Sequence, residues 1–394
     1  MSAYLSLRHR SFTYLNRHLT SSPFSTTTSK LPTLYEPAAA ATQNDDVPTT
    51  TLQLLSWGRG ASGQLGGGIE ELRLYPTPVA NLVVPASSFT LSPTQGRIQI
   101  PNCSETKNNA HGSVVEVGIS CGLFHSSLLV DEKLWIWGKG DGGRLGFGHE
   151  NSLFLPTLNP HLDSVRFVAL GGLHSVALTS LGQVYTWGYG GFGALGHSVY
   201  TRELFPRLVE GSWSGKIHHI STSGTHTAAI TKSANSNYEL GRGNKVGGWQ
   251  PKPVPSLVGV RIIQIESGGY HSLALTDEGK VLSWGHGGHG QLGNSSIQSQ
   301  KTPTVVEALT DERVIYIACG GSSSAAITDK GKLYMWGNTK DSQLGVPGLP
   351  EIQPSPVEVK FLMEDDGLGP HNVLSVAVGA SHAMCLVSRD GMSN

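Results

Sequence analysis

Four loops of the 394-residue chain spell Gly-x-Gly-x-x-Gly, at Gly58–Gly63, Gly138–Gly143, Gly188–Gly193 and Gly285–Gly290. Such a loop can cradle a dinucleotide pyrophosphate when it leads from a strand into a helix, whose N-terminus holds the anion. Here each copy runs into a Leu-Gly pair and a polar turn instead. The glycines then serve positive φ and close packing. Histidines recur at His125, His174, His226, His271 and His382, with Ser323 in the place of a sixth. A metal ion needs its ligands within about 2–2.3 Å, whereas residues in successive repeats form a ring. The expected role is a hydrogen bond from an inner strand to an adjacent turn. His286 with His289, and His218 with His219, supply at most two ligands each, with no acid or cysteine beside them. No Gly-x-Ser-x-Gly elbow, Lys-Ser/Thr phosphate loop or His-Glu-x-x-His occurs. The expected inventory is therefore empty: no catalytic, cofactor-binding or metal-ligating residue, and no cofactor.

The other reactive residue types read the same way. Cys103, Cys121, Cys319 and Cys385 are scattered, and three of them sit in apolar or Gly-flanked stretches, so buried thiols without a disulfide are expected. Sequons at Asn102 and Asn294 matter only in a secreted chain. Trp135, Trp213 and Trp249 are read as packing residues, with an exposed partner contact as the alternative.

The elements that carry these residues are short. Gly is 50 of 394, charged residues are 14% and hydrophobic residues 38%. That balance implies many tight turns, little solvated helix and enough apolar mass for a core. No glycine triplet period exists, which excludes collagen, and no apolar stretch is long enough for a membrane helix. The formal charge of −1 argues against a strong grip on nucleic acid by bulk electrostatics.

Trp-Gly recurs at Trp57, Trp137, Trp187, Trp284 and Trp336, and a Leu-Gly follows each at Leu65, Leu145, Leu195, Leu292 and Leu344. CGLFHSSLLV, GGLHSVALTS, GGYHSLALTD and CGGSSSAAITD stand before the four internal copies, SGTHTAAITK recurs without a Trp-Gly of its own, and VGASHAMCLVS is the last such element. Each unit reads as short β-branched runs separated by Gly turns. That pattern is one blade of a β-propeller. The N-terminal LQLLSWG lacks inner strands and the C-terminal LSVAVGASHAMCLVS lacks a Trp-Gly strand, so together they make one blade that closes the ring.

These units resemble the repeat of the regulator of chromosome condensation family, over residues 52–388. With the N-terminal segment, the chain is similar to that family's plant mitochondrial members. The resemblance implies an all-β propeller, usually of seven blades; six repeats are counted here. It also implies three kinds of function. Ultraviolet perception depends on Trp in a Gly-Trp-Arg-His-Thr sequence, and the segments here read GGLHS, SGTHT and GGYHS, so it is rejected. Guanine-nucleotide exchange on a small GTPase is the alternative. The first reading is a non-enzymatic adaptor for proteins or ribonucleoproteins, supporting organellar RNA processing and respiratory-complex biogenesis.

Residues 1–26 are read as a mitochondrial transit peptide. Arg8, Arg10 and Arg17 stand among abundant Ser and Thr, and the first acid is Glu36. Chloroplast import and an untargeted tail are the rival readings, the latter with a nuclear or cytoplasmic location. The remaining expected divisions are a linker at 27–51, an insertion loop at 84–110 within the propeller, and a tail at 389–394. One unit is irregular. Counting forward from His226 puts the expected Trp at Glu239, and counting back from Leu240 puts it at Lys232. The expectation is that about one repeat plus a strand is absent at the Lys232–Asn235 junction, which leaves a blade with missing or distorted outer strands in a ring of six or seven.

Overall fold

The structure, a computed structural model, describes residues 31–37, 48–86, 89–92, 115–210, 217–222, 227–231, 255–257, 259–361 and 370–389. The strands belong to one compact unit, Pro32–Asn394. The expected transit peptide, Lys232–Leu240 and residues 390–394 of the tail lie outside the described residues.

Six antiparallel sheets follow the six repeats. Sheet I holds Val115–Cys121, His125–Val130, Lys133–Gly138 and Leu153–Leu158, with Phe89–Ser92 added in parallel to its first strand. Sheet II holds Val165–Leu170, His174–Thr179, Val184–Gly188 and Glu203–Leu208. In sheet III the described strands are Ile217–Thr222 and Thr227–Thr231. Sheet IV holds Ile262–Ser267, His271–Thr276, Val281–Gly285 and Gln300–Val305; sheet V holds Val314–Cys319, Ser323–Thr328, Leu333–Asn338 and Ile352–Glu358. Sheet VI is the closure. His371–Val378 and His382–Arg389 supply its first two strands, Thr49–Arg59 its third and Leu72–Pro85 its fourth. Trp57 pairs with Ala383 and Leu55 with Cys385, so the N-terminal and C-terminal half-repeats share one sheet. Among the described residues, five of the six sheets have four or five strands.

The alternation of side chains along each strand explains the packing. In His174–Thr179, Ala177 packs with Leu129 and Ile136 of sheet I, while Val176 and Leu178 pack with Ile217 and Ile220 of sheet III. Both faces are therefore covered, and each buried Leu or Val contributes about 2 kcal/mol. Fourth strands carry Pro156, Pro206, Pro303 and Pro354, which cannot donate to a further strand and so blunt the outer edges.

The expected linker, loop and tail all lose residues to strands: Thr49–Arg59 begins inside 27–51, Leu72–Pro85 ends inside 84–110, and Arg389 closes the strand His382–Arg389. Thr33–Tyr35, in the expected linker, pairs in parallel with Leu72–Pro85. Within the expected 84–110 loop, Phe89–Ser92 is strand, because Leu91 is buried and Phe89 packs on the same core cluster.

Candidate functional site

Each described histidine of the repeat, His125, His174, His271 and His382, begins the second strand of its sheet and reaches into the next sheet. His382 Nε2 lies 2.8 Å from Ser126 Oγ, His125 Nε2 2.9 Å from Ser175 Oγ, His174 Nε2 2.8 Å from Thr227 Oγ1, and His271 Nε2 2.8 Å from Ser324 Oγ. The partner is a hydroxyl on the neighbouring sheet rather than the expected turn. That hydroxyl in turn donates to the turn: Ser126 to Gln64 O, Ser175 to Arg144 O, Thr227 to Ala194 O and Ser324 to Gln291 O, at 2.7–3.0 Å. The Trp-Gly indoles donate to the same row of carbonyls, Trp137 to Gln64 O, Trp187 to Arg144 O, Trp336 to Gln291 O and Trp57 to Gln343 O. His226 lies outside the described residues.

This arrangement fixes the tautomer. A hydroxyl has one proton and spends it on a carbonyl, which cannot donate, so Nε2 of each histidine carries the hydrogen. Nδ1 of His125, His271 and His382 is then a bare acceptor, buried without a partner. Burial pushes His271 and His382 down to about 3. It pushes His125 well below the usual histidine range, helped by the nearby Arg144 cation. Neutral, inward-facing imidazoles of this kind brace the ring. Gly122 shows how tightly they are seated: a Cβ there would lie 2.4 Å from His125 Cε1 and 2.5 Å from Gly171 O.

The second and third strands pair His125 with Gly138, His174 with Gly188 and His271 with Gly285. The residue before each His and the residue after each Trp-Gly therefore meet at one end of the ring. Lys139 N donates to Phe124 O, Tyr189 N to Leu173 O and His286 N to Tyr270 O. Gly138, at φ 109°, makes this approach possible, since a Cβ would stand 2.7 Å from Phe124 O. The end so formed is aromatic over sheets I, II and IV. Phe124, Tyr189 and Tyr270 are 36%, 43% and 79% exposed. Lys139 Nζ lies 5.6 Å from the Phe124 ring centre, and the Tyr270 and His286 rings are 6.4 Å apart. Over sheets V and VI the same positions are Ser322 with Asn338 and Ser381 with Arg59. Charges at this end are matched locally, Lys139 with Asp141 and Arg59 with Asp341. The opposite end is a charged mosaic, with Lys280–Glu278 at 2.7 Å and Lys330–Glu312 at 3.0 Å.

First strands of all six sheets line a central cavity of about 110 Å³, among them Ile119, Phe167, Thr222, Glu266, Tyr316 and Val376. Burial pushes the Glu266 carboxyl up to about 7, against one favourable hydrogen bond from Gln264. Cys121 and Cys319 line the same channel, and burial raises both thiols.

Of the residues singled out in the sequence, His286 and His289 have rings 5.8 Å apart, and His286 Nδ1 already accepts from Gln291 Nε2. No cluster of three potential metal ligands exists among the described residues. The Gly-x-Gly-x-x-Gly loops at 138–143 and 188–193 enter single 3-10 turns, not helices. Trp135 packs on the core, while Trp213 and Trp249 lie outside the described residues, as do Cys103 and Asn102. The side chains of His218 and His219 are likewise outside them. Sequence reasoning missed the aromatic end, although its signal was present as the variable residue beside each fixed His and Trp-Gly.

The RCC1-like domain family matches residues 49–385. The chain is 55% identical, over 457 aligned positions, to "RCC1 domain-containing protein RUG3, mitochondrial" of Arabidopsis thaliana, covering 98% of this chain and 99% of that protein. It is 30% identical to the ultraviolet-B receptor UVR8 of the same plant, covering 86% of this chain and 71% of that one. Among solved structures, Prp20p of Saccharomyces cerevisiae shares the fold, with a TM-score of 0.56 over 86% of this chain and 92% of Prp20p at 19% identity.

Proposed function

Because the chain belongs to the RCC1-like domain family, we propose that it is a non-enzymatic mitochondrial adaptor. It holds a protein or ribonucleoprotein partner on the aromatic end of the ring and supports organellar RNA processing and respiratory-complex biogenesis. The observation that carries the reading is the contrast between the two ends. Exposed Phe124, Tyr189 and Tyr270 with locally matched charges are the composition of a protein-contact centre. Location in mitochondria is supported by the acid-free Arg- and Ser-rich leader and by the name of the plant relative at 55% identity. With residues 1–26 removed, 25 basic residues face 29 acidic ones, which gives no reason for strong binding of RNA without a protein partner.

The test is recovery of tagged protein from mitochondria, with bound proteins and RNA identified together. The wild type retains a partner set that the Phe124→Ser/Tyr189→Ser/Tyr270→Ser variant loses, at an unchanged melting temperature. Equal recovery by both proteins rejects the aromatic end as the docking surface. Accelerated nucleotide release from a small GTPase would instead establish the exchange-factor reading.

A further inference from the structure

Sheet II presents to sheet III a flank built like those of its neighbours. At four other junctions the glycine after Leu lies against the next sheet's Trp. A Cβ on Gly66, Gly146, Gly293 or Gly345 would stand 2.8–3.0 Å from the Nε1 of Trp137, Trp187, Trp336 or Trp57. At three of them the residue two positions after that glycine also meets the next sheet's fourth strand. Gly68 N donates to Phe154 O, Gly148 N to Leu204 O and Ser295 N to Pro354 O.

On the flank of sheet II, Ala194 O receives the Thr227 hydroxyl but, among the described residues, no indole. The space beside Gly196 is met by Val209 Cγ1 at 3.3 Å, and that beside Gly193 by Tyr200 at 3.8 Å. Val199 and Tyr200 are 44% and 77% exposed. The sequence has no Trp-Gly between His226 and Leu240 to supply the other half.

The alignment with the Arabidopsis relative gives the size of what is missing. Its 457 positions hold 98% of 394 residues, about 386, so about 70 positions of that relative face no residue of this chain. In the regular repeats, the distance from the end of a second strand to the next sheet's Trp is about 60 residues, as from Thr276 to Trp336.

We infer that this chain lacks one internal stretch, equal to a whole sheet plus one strand, between Thr231 and Lys232. The flank at Ala194–Tyr200 is the receiving surface for the Trp-Gly strand and the Pro-bearing fourth strand that stretch would carry. The seam joins the inner half of one repeat to the loop of the next, which accounts for both failed counts around Lys232 and Glu239.

The experiment inserts the relative's unmatched residues between Thr231 and Lys232 of the full chain. The chimera should melt at least about 3 °C higher. Amides of residues 194–200 and 227–231 should gain at least about tenfold protection from hydrogen exchange, approaching 271–293. A folded chimera without these gains overturns the inference. Should the chimera not fold, the coding gene decides. In-frame sequence for about 60–70 residues between codons 231 and 232 supports the missing stretch, and a gene without such sequence there sinks it.

Discussion

Ser323 occupies the histidine position of sheet V, and Ala383 occupies the hydroxyl position of sheet VI that such a histidine would reach. The junction without its histidine is thus also the one without its acceptor. Elsewhere the pairs are His382 with Ser126, His125 with Ser175, His174 with Thr227 and His271 with Ser324. A histidine facing Ala383 would bury an Nε2–H without a partner, which costs about 1–3 kcal/mol. Ser323 instead turns its hydroxyl to Asn338 O, 3.2 Å away in its own sheet. Ser323→His alone should therefore destabilise by at least about 1 kcal/mol. Adding Ala383→Ser should recover more than the sum of the single changes allows, a coupling of about 1 kcal/mol in urea unfolding. Strict additivity would show that the two positions do not meet.

The buried histidines set an acid limit. His271 has a folded pKa of about 3 against an ordinary value of 6.5, so between these values the unfolded chain binds the extra proton. Stability is full above about pH 6.5 and falls as the pH drops toward 3, by up to about 1.4 kcal/mol per unit per histidine. His271→Gln keeps an amide donor for Ser324 Oγ and removes the titration. Its stability, measured from pH 7 to pH 4, should fall less steeply than that of the wild type. Parallel curves would mean that His271 is not buried neutral.

The channel acid acts with the opposite sign. Glu266 is raised from 4.5 to about 7, so the folded state holds the proton where the unfolded state has lost it. Stability therefore declines as the pH rises from about 4.5 to 7. Glu266→Gln removes that decline. The variant should be more stable than wild type by about 1–3 kcal/mol at pH 8, with a much smaller difference at pH 5. An equal gain at both values would assign the effect to packing and remove Glu266 from the charge account.

The parts of the fold legible in the sequence are those where side-chain chemistry repeats with the chain. Trp-Gly, Leu-Gly and the histidine element recur because each performs the same latch at most of the described junctions, and the closure of Thr49–Arg59 on His382–Arg389 follows from two half-repeats. The hydroxyls stand directly after the histidine position of five repeats, as Ser126, Ser175, Thr227, Ser272 and Ser324, with Ala383 in the sixth. Their role stayed hidden because the pairs they make belong to two different sheets. The aromatic end was hidden for another reason. Phe124 and Tyr270 stand before a histidine and Tyr189 stands after a Trp-Gly, so no single repeat position marks them, and only strand pairing brings their turns together. The strand Phe89–Ser92 was missed because four alternating residues in a Ser-rich stretch carry too weak a pattern.

The leader carries the last prediction. Arg8, Arg10 and Arg17 supply the positive charge of residues 1–26, Leu5, Phe12, Leu15 and Leu19 an apolar side, and no acid occurs before Glu36. Such a segment is drawn into mitochondria by its cationic, amphipathic character rather than by a rigid motif. A fluorescent protein carrying residues 1–60 at its N-terminus should co-localise with a mitochondrial marker. Changing Arg8, Arg10 and Arg17 to Glu leaves length and apolar residues intact while reversing the charge, and should release the fusion to the cytosol. Chloroplast fluorescence from the unaltered fusion would move the adaptor to the other organelle. A diffuse or nuclear signal would remove the organellar reading and favour nucleotide exchange on a GTPase outside mitochondria.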